Sequence, residues 1–303
     1  RRVFAAALLT TGVVQVALAA ILKSPAERAH GTFVNPNHLA AYLEIILAVA
    51  FGALWAEILT NRERARRAEG RADMMEKRLL PLAGFVLLWG VIAAGIGLNQ
   101  SKGGILAAGL TILVLVAMAS AHRRTRSRPR VALVASLAIL GGIVFVAATA
   151  GTTTLRRFLE ANPREMGNDV RVELWKNSVL AWREFPLLGS GLGTFREAFR
   201  RVQPRDIIGR VEHAHSDSLQ LLVTGGTIGA VLGVCLFASL FVVLFRAWRA
   251  QKHREESALV LAGIGALLAL AVHGLVDFNL SIPIIPATLA CVLGMAWAAG
   301  GHR

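Results

Sequence analysis

The sequence predicts an all-α, polytopic membrane protein. Three observations carry that expectation: apolar residues gathered in long blocks, a low charge content, and loops between the blocks that alternate in basicity. Of 303 residues, 55% are hydrophobic and 17% are charged, against about 25% charged in a soluble domain. The whole chain, 1–303, reads as one membrane domain.

Eight apolar blocks are visible, at about 3–22, 38–59, 79–98, 103–121, 131–150, 217–245, 257–275 and 282–299. At 1.5 Å rise per residue, each is long enough to cross a hydrocarbon core of about 30 Å. Strict apolar–polar alternation is absent, so helices rather than barrel strands must satisfy the backbone in lipid. The first block follows Arg1-Arg2 without a Met and without a small-residue cleavage site. It reads as a spanning helix rather than a signal peptide, and upstream sequence is expected.

The loops fix an expected topology. Bases cluster at 1–2, at 62–78, at 123–130, at 246–254 and at Arg303, while the intervening short loops hold Lys23 and Arg28, then Lys102, then no base around Asp277. The positive-inside rule places both termini and the basic loops in the cytoplasm. The formal net charge of +14 then reads as topology-setting cations beside anionic lipid headgroups, with no nucleic-acid partner implied. Cys235 and Cys291 both lie inside apolar blocks, where cysteine acts as a small hydrophobe; neither a disulfide framework nor a metal site follows.

The segment 151–216 is expected to be a large outer loop of mixed charge. Within it, Val172, Trp175, Val179 and Trp182 repeat at helical spacing over 169–185, and Pro186 stops that helix. Gly189-Ser190-Gly191-Leu192-Gly193 reads as a flexible turn. Leu192, Phe195 and Phe199 then mark a second short helix. Both are expected to be amphipathic and to lie on the outer membrane surface. The mixed-sign stretch 61–78 reads as a solvated helical extension.

The unusual polar residues fall at the outer side. Asn35-Pro36-Asn37-His38 opens the second block; Asn35 or Asn37 suits an N-cap, and a helix N-terminus also attracts anions. Glu44 lies less than two turns deeper and is either a structural partner or support for a site. Asn99-Gln100-Ser101-Lys102 forms a second polar turn; Lys102 is either a snorkelling interfacial lysine or a cation held for a phosphate. Arg171 alone is one arginine among many in its loop. Glu212-His213-Ala214-His215-Ser216-Asp217 enters the sixth block. Histidine exchanges a proton near neutral pH, and Asp217 could orient an imidazole. No further ligands at metal spacing accompany His213 and His215. His273 and Asp277, spaced i,i+4, suggest a structural pair.

Taken together, these residues carry a resemblance. His215-Ser216, nine residues, then Gly226-Thr-Ile-Gly229 resembles the loop motif of the O-antigen ligase and polymerase family. Arg171, Trp175 and the run Phe185-Pro186-Leu-Leu-Gly189-Ser-Gly191-Leu-Gly193-Thr-Phe195 resemble the rest of that family's large outer loop. Gly31-Thr-Phe-Val-Asn35-Pro36-Asn37-His38 resembles an earlier one, and Ser101-Lys102-Gly103 stands where the family usually shows Ser-Arg-Gly. The resemblance implies a GT-C-like glycosyltransferase of the bacterial inner membrane, needing neither cofactor nor metal, with about four further helices before Arg1 and with 151–216 as a periplasmic loop. It implies transfer of a glycan from an undecaprenyl-diphosphate donor to a lipid A core or similar acceptor at the periplasmic face; the related reactions are O-antigen polymerisation and protein O-glycosylation. His215, Arg171 and Lys102 are then the expected catalytic residues, with Asn35, Asn37, His38, His213 and Asp217 binding substrate or shaping the site. A small-solute or bicarbonate transporter is the rival from another class. It fits less well, because the polar residues gather at one end of the helices rather than at the bilayer centre.

Overall fold

The computed structural model describes residues 1–23, 28–67, 75–121, 170–205, 207–251 and 253–301. Among these residues the chain is helical, without strands. Helix α1 spans Arg2–Ile21, α2 Pro36–Arg67, α3 Leu80–Leu98 and α4 Lys102–Ala121. Then come α5, Val170–Glu184, α6, Phe195–Arg200, α7, Asp217–Ala250, α8, Arg254–His273, and α9, Ile284–Ala299. A π turn, Met75–Leu79, leads into α3, and a 3₁₀ turn, Asn279–Ser281, links α8 to α9.

Six of these helices, α1 to α4 with α7 and α8, are long and apolar enough to cross a membrane. Helix α9 has 16 residues, about 24 Å of axial length. They coincide with seven of the eight expected blocks. The remaining block, 131–150, lies outside the described residues, as does 151–169 of the expected outer loop. Helix α2 continues beyond its apolar block to Arg67, the helical extension that its mixed charge suggested.

The centre is built from α2 and α8. Gly52 of α2 has no room for a side chain: a Cβ there would stand 2.6 Å from the Ala258 carbonyl oxygen and 3.1 Å from Ala262 Cβ. One packing layer along, a Cβ on Gly265 of α8 would stand 2.9 Å from Ala48 Cβ. Small residues at these crossings let two backbones approach closely, which is how helices associate where lipid removes the hydrophobic driving force. Around this pair, α1, α3, α4 and α9 contribute to one apolar cluster that includes Leu43, Ile46, Trp89, Ile92, Leu115 and Ile285.

The outer-loop helices depart from expectation in their facing. Helix α5 buries Leu174, Asn177, Ser178 and Ala181, a stripe adjacent to the expected Val172, Trp175, Val179 and Trp182. Its apolar side packs with Phe195, Ala198 and Phe199 of α6 and with Val223 of α7 into a second, smaller core. Leu192 precedes α6 and is exposed, so it is no part of that helix's buried face. These helices turn their apolar faces onto protein because α7 supplies a partner that local periodicity does not reveal.

Candidate functional site

Four helix ends and one turn meet where α8 finishes. Helix α2 starts on a local signal. Asn35 Oδ1 accepts from the Asn37 N–H at 2.8 Å, and Pro36 occupies the first helical position, where a missing N–H costs nothing. This settles Asn35 as the N-cap and frees the Asn37 side chain. Helix α4 starts likewise: Ser101 Oγ accepts from the Gly104 N–H at 3.1 Å, which makes Ser101 its cap and Lys102 its first residue.

Helix α7 starts at Asp217, capped by Ser216, whose Oγ accepts from the Leu219 N–H at 3.4 Å. The Asp217 N–H donates to the carbonyls of Gly274 (2.7 Å) and Asp277 (3.0 Å). Its carboxylate accepts from the Leu280 N–H at 3.1 Å. Asp217 therefore ties the start of α7 to the turn after α8. The carboxylate that faces the His215 imidazole belongs to a different residue.

That residue is Asp277, whose side chain is 1% exposed. Its Oδ2 accepts from Asn37 Nδ2 at 2.6 Å and lies 3.8 Å from an Arg171 guanidinium nitrogen. Its Oδ1 accepts from the Phe278 N–H at 2.9 Å and lies 3.6 Å from His215 Nδ1. The His215 contact is one of charge and dipole, longer than a hydrogen bond. Burial by itself raises a carboxyl; the imidazole of His215, the Phe278 N–H, the Arg171 charge and the Asn37 amide outweigh it and hold Asp277 down at about 2.

His215 sits on a left-handed backbone, φ +49, an uncommon conformation for a residue with a side chain and one that concentrates at functional sites. Its carbonyl accepts from Trp175 Nε1 at 3.2 Å. Arg171 also donates to the Val276 carbonyl at 3.3 Å. Residues 171 and 175 are one helical turn apart on α5. One face of that helix thus holds the carboxylate's turn and the histidine's backbone together. The His215 side chain is 32% exposed; its buried Nδ1 faces Asp277, so access is left to Nε2.

The three neighbouring imidazoles share a ring. His213 stacks on Phe278 at 4.1 Å between centroids; His215 and His38 meet it edge-on at 4.8 and 4.7 Å. His213 is held from behind by Gln220 Oε1 at 3.1 Å, and Gln220 in turn donates to Ser281 Oγ at 2.8 Å. Among the described residues no group of three His, Cys, Asp or Glu side chains is placed to hold a metal ion.

Further partners were not evident in the sequence. Arg28 donates to Asn37 Oδ1 at 2.6 Å and to the Asn99 carbonyl at 2.8 Å. It caps the negative end of α3 and braces the amide that serves Asp277. His273, expected to pair with Asp277, instead meets Glu44 at 2.9 Å; both are buried. The backbone keeps its i,i+4 bond, Asp277 N–H to the His273 carbonyl at 3.1 Å, but the imidazole is taken by Glu44 and the Asp277 carboxylate by Asn37 and the Phe278 N–H. Lys102 is exposed. Its neighbour Gly103 packs against the same turn: a Cβ there would stand 2.9 Å from Val276 Cγ2 and 3.2 Å from His273 Cδ2.

The glycines of the outer-loop motif have a separate task. At Gly226, φ +66 and ψ −171, helix α7 breaks. The broken turn is repaired by the segment after α5. Val223 and Thr224 carbonyls accept from the N–H groups of Ser190 and Gly191, each at 2.9 Å. In return the Thr227 and Ile228 N–H groups donate to the Pro186 and Leu187 carbonyls at 2.9 and 3.1 Å. Gly189 and Gly226 stand back to back, and a Cβ on either would overlap the other's strand of backbone. The run expected to be a flexible turn is a lock between α5 and α7.

A search of curated proteins finds no match. The profile of a family described as O-antigen ligase matches residues 83–234, half of the chain. The matched stretch includes Lys102, Arg171, Trp175, the 186–191 lock, His215 and Gly226, while Asn37 and Asp277 fall outside it. The chain is a polytopic member of the O-antigen ligase family.

Proposed function

We propose that the chain transfers a glycan from an undecaprenyl-diphosphate donor to an acceptor hydroxyl at the periplasmic face of the bacterial inner membrane, without a metal, with lipid A core or a similar glycan as acceptor. The observation that carries this reading is His215, whose Nδ1 faces the buried carboxylate of Asp277 at 3.6 Å while the other ring nitrogen stays accessible.

In that reading Nε2 of His215 takes the proton of the acceptor hydroxyl as its oxygen attacks the anomeric carbon. The bond from that carbon to the diphosphate oxygen breaks, and the diphosphate leaves with the electron pair. Asp277 sets the ring's orientation and stabilises the imidazolium that forms, as a base and its orienting partner require. General-base assistance of this kind contributes about 10²–10⁴-fold.

The leaving diphosphate is anionic, and the site is built to receive negative charge. The N-termini of α2, α4 and α7 all reach the turn at 274–280, each with the positive end of its dipole toward it. Arg171 and Lys102 add full charges on the same side. Lysine there provides a point charge rather than a planar fork. Asn37 holds Asp277, and His38 and His213 pack on Phe278 beside it. Asn35 caps the helix that presents Asn37 and His38, and Asp217 holds the turn; in this reading they shape the place where donor and acceptor meet.

The reading is tested by reconstituting the full chain in vesicles with a labelled undecaprenyl-diphosphate glycan, chelator, and separate acceptors: lipid A core, the same lipid-linked glycan, and an acceptor protein. One labelled product of fixed size on lipid A core is the expected result. A ladder of repeats would identify a polymerase, and labelled protein an O-oligosaccharyltransferase. Solute flux with no glycan product would overturn the reading.

A further inference from the structure

The lock between α5 and α7 leaves its own side chains exposed. Leu187 is 65% exposed and Leu188 76%. They stand beside the surface of a spanning helix, because the Leu187 carbonyl accepts from the Ile228 N–H at 3.1 Å. Ile228, Val231 and Leu232 of α7 are exposed next to them.

The depth of this patch follows from the charges on α7. No charge occurs between Asp217 and Arg246. Helix α7 has 34 residues, about 51 Å, well beyond a hydrocarbon core of about 30 Å. Counting back from Arg246 by the roughly 20 residues that cross the core reaches Gly226, where the helix breaks. Before the break come Asp217, Ser218, Gln220 and Thr224; after it the stretch 226–245 carries no charge. The break therefore marks the boundary of the hydrocarbon, and Leu187 is hydrogen-bonded two residues past it.

We propose that Leu187 and Leu188 insert into the acyl chains of the bilayer beside α7 and anchor α5 at a fixed height above the membrane plane. The occupant is bilayer lipid, since the patch is continuous with the outward surface of a spanning helix. Helix α5 carries Arg171 and Trp175, so the anchor also sets the level of the His215–Asp277 contact. The proposal is independent of which glycan reaction the site performs.

The test uses the full chain with Cys235 and Cys291, both exposed, replaced by alanine. Leu188→Cys and, separately, Leu187→Cys are labelled with an environment-sensitive fluorophore; Arg200→Cys on the exposed side of α6 is the control. The protein is placed in phosphatidylethanolamine–phosphatidylglycerol vesicles that lack polyprenyl lipid. Both leucine sites are expected to be quenched several-fold more by nitroxide-labelled lipid than by aqueous iodide, and the control the reverse. Iodide quenching equal to the control would overturn the proposal. So would silence to both quenchers, which means that protein covers the patch. Protection that appears only after undecaprenyl diphosphate is added would assign the patch to the donor's tail instead.

Discussion

Asn37 Nδ2 donates to Asp277 Oδ2 at 2.6 Å across 240 residues of sequence, and the same amide accepts from Arg28 through its oxygen. The first turn of α2 and the turn after α8 are thus joined at the residue that faces His215. The bond is buried, and one partner is charged, so its loss leaves a carboxylate under-satisfied.

Asn37→Ala should cost about 1.5–3 kcal/mol of stability, the range for a bond to a buried charged group, and lower glycan transfer with it. Asn37→Asp should be worse than alanine, because it sets a second carboxylate against Asp277. Thermal denaturation in detergent measures both. An aspartate variant that melts at the wild-type temperature would contradict the assignment.

Asp277 also predicts an acid response. Its carboxyl is held at about 2, below its ordinary value of 3.8. A depressed carboxyl contributes stability that is complete above its ordinary value and is lost as pH falls through the depressed one. A shift of nearly two units corresponds to about 2 kcal/mol. Wild type should therefore lose this increment between about pH 4 and pH 2, and Asp277→Asn should not. Parallel melting curves for the two proteins across that window would refute the account.

The two glycines of the Gly-x-x-Gly motif should differ. Gly226 occupies a backbone region open almost only to glycine, at a cost of about 1–3 kcal/mol for other residues, before its overlap with Leu187. Gly229 is ordinary helix; a Cβ there would meet Leu221 at 3.9 Å. Gly226→Ala should open the 186–191 segment to protease and lower the melting temperature, while Gly229→Ala should be tolerated. Equal sensitivity of both variants would show that the lock is not what the motif preserves.

Lys102 should be read through the donor. Lys102→Arg is expected to keep transfer near the wild-type rate, because it retains the positive charge. Lys102→Ala should lower it about tenfold or more, with the loss of one charged contact to the leaving diphosphate. Initial rates against donor concentration measure this. A wild-type rate for the alanine variant would remove Lys102 from the site.

The spans were legible because a bilayer imposes length and composition locally: α1 at Arg2–Ile21 and α3 at Leu80–Leu98 fall within a residue or two of their apolar blocks. Helix α5 was legible from its period and from Pro186. Its buried stripe was not, since Val223, 42 positions or more away in sequence, decides which side is covered. At the site, His215 and Arg171 could be singled out by motif, whereas the choice between Asp217 and Asp277 could not. Both acids lie near helix ends, and only the fold shows that the nearer one spends its carboxylate on Leu280. A lone acid in a turn without bases was the one available hint of Asp277. Arg28 and Phe278 gave none, because an arginine in a short loop and a phenylalanine in the turn between two apolar blocks are ordinary. Gly226 stood out as part of the Gly-x-x-Gly motif, but the break it makes in α7 shows only in its backbone.

Whether His215 and Asp277 act as one unit is read from a double-mutant cycle of initial transfer rates in vesicles, using wild type, His215→Ala, Asp277→Asn and the double variant. Each single variant should fall by at least about 10²-fold, and the double variant should be no slower than His215→Ala, as expected for residues that act together. A wild-type rate in His215→Ala, or two losses that multiply in the double variant, would contradict their joint action.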